Sequence, residues 1–341
     1  MTITKTVLEM LEKCYAVSIM EIGGVMQYLV ATEAAGPCFA WSATDHTKQT
    51  VWEGPGGTMN IVPIPGKKDE FLATQDFVPT FQAKESKVAH VVYKDGEWSL
   101  KPIITIPYLH RFDVCMVGNK RFFVGATLAL FKESKDDWTK PGAVYVGEVP
   151  DELDGPFPIK PVLTCITKNH GFCKGAWKGR AAYLVSGVEG VFALYLPATS
   201  DGVWESEKIL DYEVSDMAVC DIDGDGQLEL ATIEPFHGSK GVIYKKKNGK
   251  FLPLIEHEYE FGHVVWGGKI LGKPAFIIGG RKGSRELNLF QWDASSASIK
   301  RSLIDNTGGP SNIAVWNKAD SDVILAANRE IGEIALYEIK A

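Results

Sequence analysis

Three of the seven histidines, His110, His170 and His263, stand just ahead of short apolar runs, in "LHRFDVC", "NHGFCKGAW" and "GHVVWGG". A neutral imidazole can take a proton near pH 7. It can also ligate zinc, manganese or iron through one ring nitrogen. His237, Arg281 and Arg329 follow other apolar runs, and a guanidinium can hold a carboxylate or a developing enolate. Together these groups suit elimination beside a carbonyl, which needs a base, positive charge for the enolate and an acid for the leaving oxygen. We therefore expect His110, His170, His263, His237, Arg281 and Arg329 to be catalytic, with a metal on His110, His170 and His263. Asn60, Asp76, Asn312 and Glu330 occupy matching positions in other segments and are expected to bind substrate. All ten are scattered along the chain, so only the fold can assemble them.

A second cluster lies in "DIDGDGQLE" at 221–229, with Asp221, Asp223, Asp225 and Glu229. Alternating carboxylates in a glycine turn can wrap a hard cation such as calcium. An EF-hand would want Glu at the twelfth loop position, where Thr232 stands. The loop reads as a structural turn or a structural calcium site. Nucleophilic chemistry finds little support: there is no GxSxG, and Cys173 follows His170 by three residues without a recognisable pattern. The glycine-rich "GGRKGS" is not followed by a helical pattern, which a phosphate loop requires.

The elements that must position these residues repeat. Seven runs look alike: "YLVATEA", "FLATQDF", "FFVGATL", "YLVSGVE", "LELATIE", "FIIGGRK" and "VILAANR". They recur roughly every 45 residues, as in propeller arrays. An apolar run precedes each, and alternating segments usually follow, such as "GVFALYLP" and "EIALYEIK". Each unit reads as four short strands, A to D, punctuated by glycines and charges. A four-stranded sheet with two apolar faces buries both only by stacking on neighbours. The expected fold is all-β, a seven-bladed β-propeller over 1–341 as one domain. The last unit lacks a D strand, and "MTITKTVLEML" fits that place, closing the ring. A short helix over "KTVLEMLEK" is the alternative. In a propeller the loops entering A and leaving B share one face, so the histidines should converge there and the acidic loop should face the other way.

Composition excludes some classes. The net charge is −7 and the basic residues form no stripe, so nucleic acid is not an expected partner. No apolar run approaches the length of a membrane helix, and no signal-peptide pattern stands at the start. A cytoplasmic location is the expectation. The six cysteines lack CxxC spacing and read as buried thiols. The segment "KESKDDWTKPGA" at 132–143 reads as a plain surface loop, with a substrate lid as the alternative.

The repeat pattern and the acidic box resemble the FG-GAP/VCBS propeller superfamily, with Glu229 in place of a final Asp. The histidine-bearing A strands resemble the propeller part of aldos-2-ulose (1,5-anhydrofructose) dehydratases and propeller polysaccharide lyases. That resemblance implies metal-assisted elimination on a keto- or anhydro-sugar, with a small sugar or oligosaccharide as partner. A noncatalytic sugar- or protein-binding propeller is the next reading, and a lactonase-like hydrolase the third.

Overall fold

The computed structural model describes residues 1–341. The chain forms 28 strands and no helix. They make seven four-stranded antiparallel sheets, the blades of a β-propeller. In blades 1 to 6 the strands run consecutively from A to D. Blade 7 takes Asn312–Asn317, Asp322–Asn328 and Glu333–Lys340, then Thr2–Met10 as its outer strand. The N-terminal strand thus closes the last blade as the sequence indicated, and the alternative helix over 5–13 does not form.

Cα packing separates two compact units. The first comprises Met1–Met10, Gly171–Ala193 and Lys208–Ala341, and the second Leu11–His170 and Leu194–Glu207. Blades 5, 6 and 7 and most of blade 4 lie in the first; blades 1, 2 and 3 lie in the second.

Burial explains the repeat. The B strands carry unbroken apolar and small residues because both faces are covered. Asp322–Asn328 is buried at every position. In the first unit, Ile233 and Ile243 of blade 5 pack with Phe276, Ile278 and Phe290 of blade 6. Ile277 and Leu289 of blade 6 pack with Ile324, Ala326 and Tyr337 of blade 7. In the second unit, Leu29 and Ala31 share a core with Phe71 and Ala73. Within the first unit, the A strands of blades 4, 5, 6 and 7 touch in succession, which brings the residues just ahead of them together.

Thr2–Met10 is mostly exposed or half-buried, so its hold on the last blade is chiefly backbone pairing, Thr2 opposite Lys340 through Met10 opposite Glu333. Ile3 packs against the blade 6–7 core, and Lys5 reaches Glu333 at 2.7 Å. Removing residues 1–10 would leave Glu333–Lys340 as an open edge, a template for pairing with another chain. The expected result is an unfolding midpoint lower by at least several degrees together with new self-association. Thermal melts and analytical ultracentrifugation of the truncated chain check both.

Candidate functional site

The A strands that carry His110 and His263 share a local irregularity. Leu109–Val117 slips register between Leu109 and Arg111, and Glu260–Ile270 slips between Gly262 and Val264. His110 and His263 are therefore the extra residues of β-bulges, which re-aim a side chain out of the sheet's alternation. Cys14–Ile22 slips in the same place and makes Tyr15 the bulged residue of blade 1. Sequence reasoning missed Tyr15 because a tyrosine ahead of "AVSIM" looks like core.

His170 reaches its place differently. It directly precedes Gly171, the first residue of the blade 4 A strand. A Cβ on Gly171 would stand 2.2 Å from Ser186 Oγ and 2.9 Å from Asp216 Cα, so only glycine permits this approach. His237 follows the B strand Glu229–Glu234 in a tight turn with φ +49°, and its backbone N–H donates to Ser215 Oγ at 3.0 Å. Gly238 completes that turn, since a Cβ there would meet the Glu234 carbonyl oxygen at 2.3 Å.

Within the first unit these placements bring His237 and His263 together, each offering a ring nitrogen within 4.8 Å of the other. His170 and His263 are 1% and 2% exposed. His263 Nδ1 lies 2.6 Å from the Ser311 carbonyl oxygen. A carbonyl only accepts, so Nδ1 carries the proton and Nε2 is the acceptor, the tautomer that a metal ligand needs. His237 stacks on Phe236 at 4.1 Å and on Phe261 at 4.5 Å, and lies 5.3 Å from His263 in a nearly parallel plane. Two imidazole nitrogens this close can share one transition-metal ion, for which imidazole is a common ligand.

His110 takes a different place from the one its spacing suggested. His237, not His110, is the ring that stands beside His263. The His110 ring lies 4.5 Å from His170, 5.7 Å from Phe77, and its Nε2 is 3.4 Å from the Tyr15 hydroxyl. The two arginines share one carboxylate: Glu330 Oε1 accepts from Arg281 Nε at 3.0 Å and from Arg329 Nη1 at 3.1 Å. Burial pushes the Glu330 carboxyl up, but the two guanidiniums outweigh it and hold the group below its usual range. Arg281 also lies over the Phe261 ring at 4.8 Å, beside the ring that supports His237.

Of the expected substrate-binding residues, Asn60 is partly buried, with its Oδ1 fully shielded and facing no donor. Thr58, Thr74 and Gln75 of the same blade also have a buried side-chain oxygen without a hydrogen-bond partner. Asp76 is taken up by Lys87 at 2.7 Å. Asn312 opens the blade 7 A strand. A separate cavity of 520 Å³, lined among others by Phe122, Phe157, Lys160, Asp201 and Trp204, contains none of the expected site residues.

None of the six cysteines is in a disulfide, and Cys165 is exposed rather than buried. Burial and the nearby Asp216 carboxylate push the Cys173 thiol up to about 12, which removes it as a nucleophile at neutral pH.

The segment after the blade 3 B strand is exposed over most of its length, as a surface loop is, and is anchored at Lys132. Lys132 is 0% exposed, its Nζ has no hydrogen-bond partner, and it sits 3.2 Å over the Trp138 ring and 5.7 Å from Phe81. The Tyr108 hydroxyl accepts from the Lys132 backbone N–H at 3.1 Å. Tyr108 in turn packs with Tyr15 and Phe77, the two rings beside His110. Lys132 and Trp138 thereby tie the segment to the Tyr108 cluster.

The acidic loop joins the blade 5 A strand Asp216–Cys220 to the B strand Glu229–Glu234. His237 lies past the other end of that B strand, so loop and histidine occupy opposite ends of the blade, as the repeat implied. Lys245 projects into the loop from the neighbouring C strand, Lys240–Lys247.

No protein-family model and no curated relative matches the chain. Solved structures match its fold at low identity. A 6-phosphogluconolactonase-like protein of Bacteroides uniformis is 9% identical, with a TM-score of 0.56 over 86% of this chain and 85% of that one. The apo aldose sugar dehydrogenase of Escherichia coli is 13% identical, with a TM-score of 0.53 over 99% of each chain. A chain of a mitotic checkpoint complex reaches 0.59 at 8% identity, over 99% of this chain and 93% of that one. These likenesses establish the propeller. The fold serves unrelated functions, so function must be argued from the site.

Two measurements test the local geometry. Titration with Co²⁺, read by its visible absorption, should give one bound ion. His237→Ala should weaken it by at least about 100-fold, while His110→Ala changes it only a few-fold. The second concerns Lys132, whose ammonium burial pushes down to about 8 against the pull of Asp137 and Asp136. The unfolded chain holds that proton up to about pH 10.4, so between these values it binds more protons than the folded chain and stability rises with pH. Denaturant unfolding should show the wild type gaining on Lys132→Met from pH 8 to 10. At pH 7 the variant should match or exceed it by about 1 kcal/mol, as when a costly buried charge is replaced by an apolar group of similar shape.

Proposed function

We propose that this propeller is a carbohydrate-directed carbon–oxygen lyase. It eliminates water or an alkoxide β to the carbonyl of a keto- or anhydro-sugar. The observation that carries the reading is the convergence of His237 and His263 within 4.8 Å, with His263 Nδ1 held by the Ser311 carbonyl. These two residues would hold a divalent ion, with zinc, manganese and iron all compatible with imidazole ligands. When bound, such an ion supplies Lewis acidity toward a carbonyl oxygen.

With His237 beside His263 as the second nitrogen donor, a conflict is relieved. One histidine cannot be both ligand and base, and His110 is left for proton transfer. Its Nε2 partner, the Tyr15 hydroxyl, sets the ring's orientation and can pass the proton on. Arg281 and Arg329 bring two positive charges against the one of Glu330, leaving a net positive field suited to an enolate or a substrate carboxylate.

A lactonase reading comes second, favoured by fold relatives whose names denote sugar chemistry, 6-phosphogluconolactonase-like protein and aldose sugar dehydrogenase. The same two imidazoles could hold an ion that polarises a lactone carbonyl. A binding propeller without catalysis is the third reading.

Screening metal-loaded protein against keto- and anhydro-sugars, with ultraviolet detection of an enone, separates the three. The lyase reading expects an absorbing product whose formation falls about 10²–10⁴-fold in His110→Ala. Acid release from sugar lactones without enone favours the hydrolase. Saturable sugar binding without turnover of any compound leaves the binding module.

A further inference from the structure

The structure assigns the cation of the acidic loop to the chain itself: we propose that the Lys245 ammonium occupies the place of a calcium ion, and that loss of this ammonium opens a divalent-cation site. The assignment is independent of the chemistry at His237.

An oxygen-lined turn of this type ordinarily closes around a hard cation held by several carboxylates. Here Asp221, Asp223 and Asp225 each bring an oxygen to within 4.8 Å of the others. Between the acidic groups stands Lys245 Nζ, 2.5 Å from Asp223 Oδ2, 2.7 Å from Asp225 Oδ2 and 3.0 Å from Glu229 Oε1. An ammonium donates three hydrogen bonds, and all three are satisfied by carboxylates. The Lys245 side chain is 9% exposed and that of Glu229 0%, so the charge is enclosed rather than lying across the surface.

The remaining lone pairs are also occupied. Asp221 accepts from the Gly224 and Gly226 N–H groups at 2.8 and 3.0 Å. Asp225 accepts from Gln227 N–H at 2.9 Å, and Glu229 from Ile222 N–H at 2.9 Å. The loop is thus in a cation-ready form with its backbone already ordered. Burial works against the charge on Lys245, but Asp223, Asp225 and Glu229 outweigh it and raise its pKa, while Lys245 holds the Asp225 carboxyl below its usual range. A calcium ion would have to expel this ammonium or bind beside it against like-charge repulsion. The donor set that the acidic box suggests for calcium therefore does not fit calcium while Lys245 is present.

The run "YKKK" at 244–247 offers three lysines. Strand alternation turns Lys246 to the opposite face, and of the two left on the loop's side Lys245 is buried while Lys247, the last residue of the strand, is exposed.

The test compares the wild-type chain with Lys245→Met and Lys245→Gln. Each is melted in EDTA and in 10 mM Ca²⁺ and titrated with Ca²⁺ by calorimetry. The wild type should show the same midpoint in both buffers and no stoichiometric calcium binding. The variants should melt lower in EDTA, regain stability in Ca²⁺, and bind one ion with a dissociation constant of about 0.1–1 mM, the range of open extracellular-type sites. If neither variant folds without calcium but either folds with it, the proposal stands. If both fail in either buffer, the wild type decides: a slowly exchanging Lys245 ammonium resonance in ¹H–¹⁵N spectra, insensitive to Ca²⁺, supports the assignment. One tightly bound calcium in the wild type, with a midpoint lost to EDTA, overturns it. So do folded variants that ignore calcium.

Discussion

The two-sided burial of the B strands is the constraint on which the rest depends. Asp322–Asn328 has no solvent face, and its counterparts are covered almost as fully, so no blade can satisfy its own apolar surface. Each must be covered by its neighbours, as Ile233 and Ile243 are by Phe276 and Ile278. Blade stacking follows from hydrophobic burial alone. Once blades 4 to 7 stack, their A strands touch, and residues far apart in sequence become neighbours. The chemistry is a by-product of a packing solution.

Stacking brings the strands together but does not aim their side chains. That task falls to the bulges at Tyr15, His110 and His263 and to the tight turns around Gly171 and Gly238. A regular strand would point alternate residues into the blade interfaces, where an imidazole would be desolvated without a partner. The bulge puts the ring at the strand's end instead. There the Ser311 carbonyl fixes one tautomer of His263, and the aromatic faces of Phe236 and Phe261 fix the plane of His237. Such support lowers the cost of ordering a site when a ligand arrives.

Two enclosed lysines show how far environment decides what a side chain does. Lys132 lies against aromatic rings, and burial drives its proton affinity down despite the nearby Asp137 and Asp136. Lys245 faces three carboxylates, which overcome burial and drive it up. The first ties a surface segment to Tyr108 and the second fixes a turn at the far end of blade 5. Neither is distinguishable by type from the many surface lysines of the chain.

The sequence by itself determined the architecture. Apolar and small residues recurring at a fixed period are enough to specify four strands per blade, seven blades and the N-terminal strand as the missing edge, because burial acts on residue type and spacing. It also marked His170, His237 and His263 as residues at strand ends. Only the tertiary structure decided which histidines meet. Membership in that group depends on bulges and left-handed turns, which shift one residue and leave no periodic trace, so His110 and His237 exchanged places and Tyr15 passed for core. Nor could the sequence reveal that the acidic loop already contains a charge. The partner comes from a different strand, and an ion pair is set by three-dimensional distance, not by position along the chain.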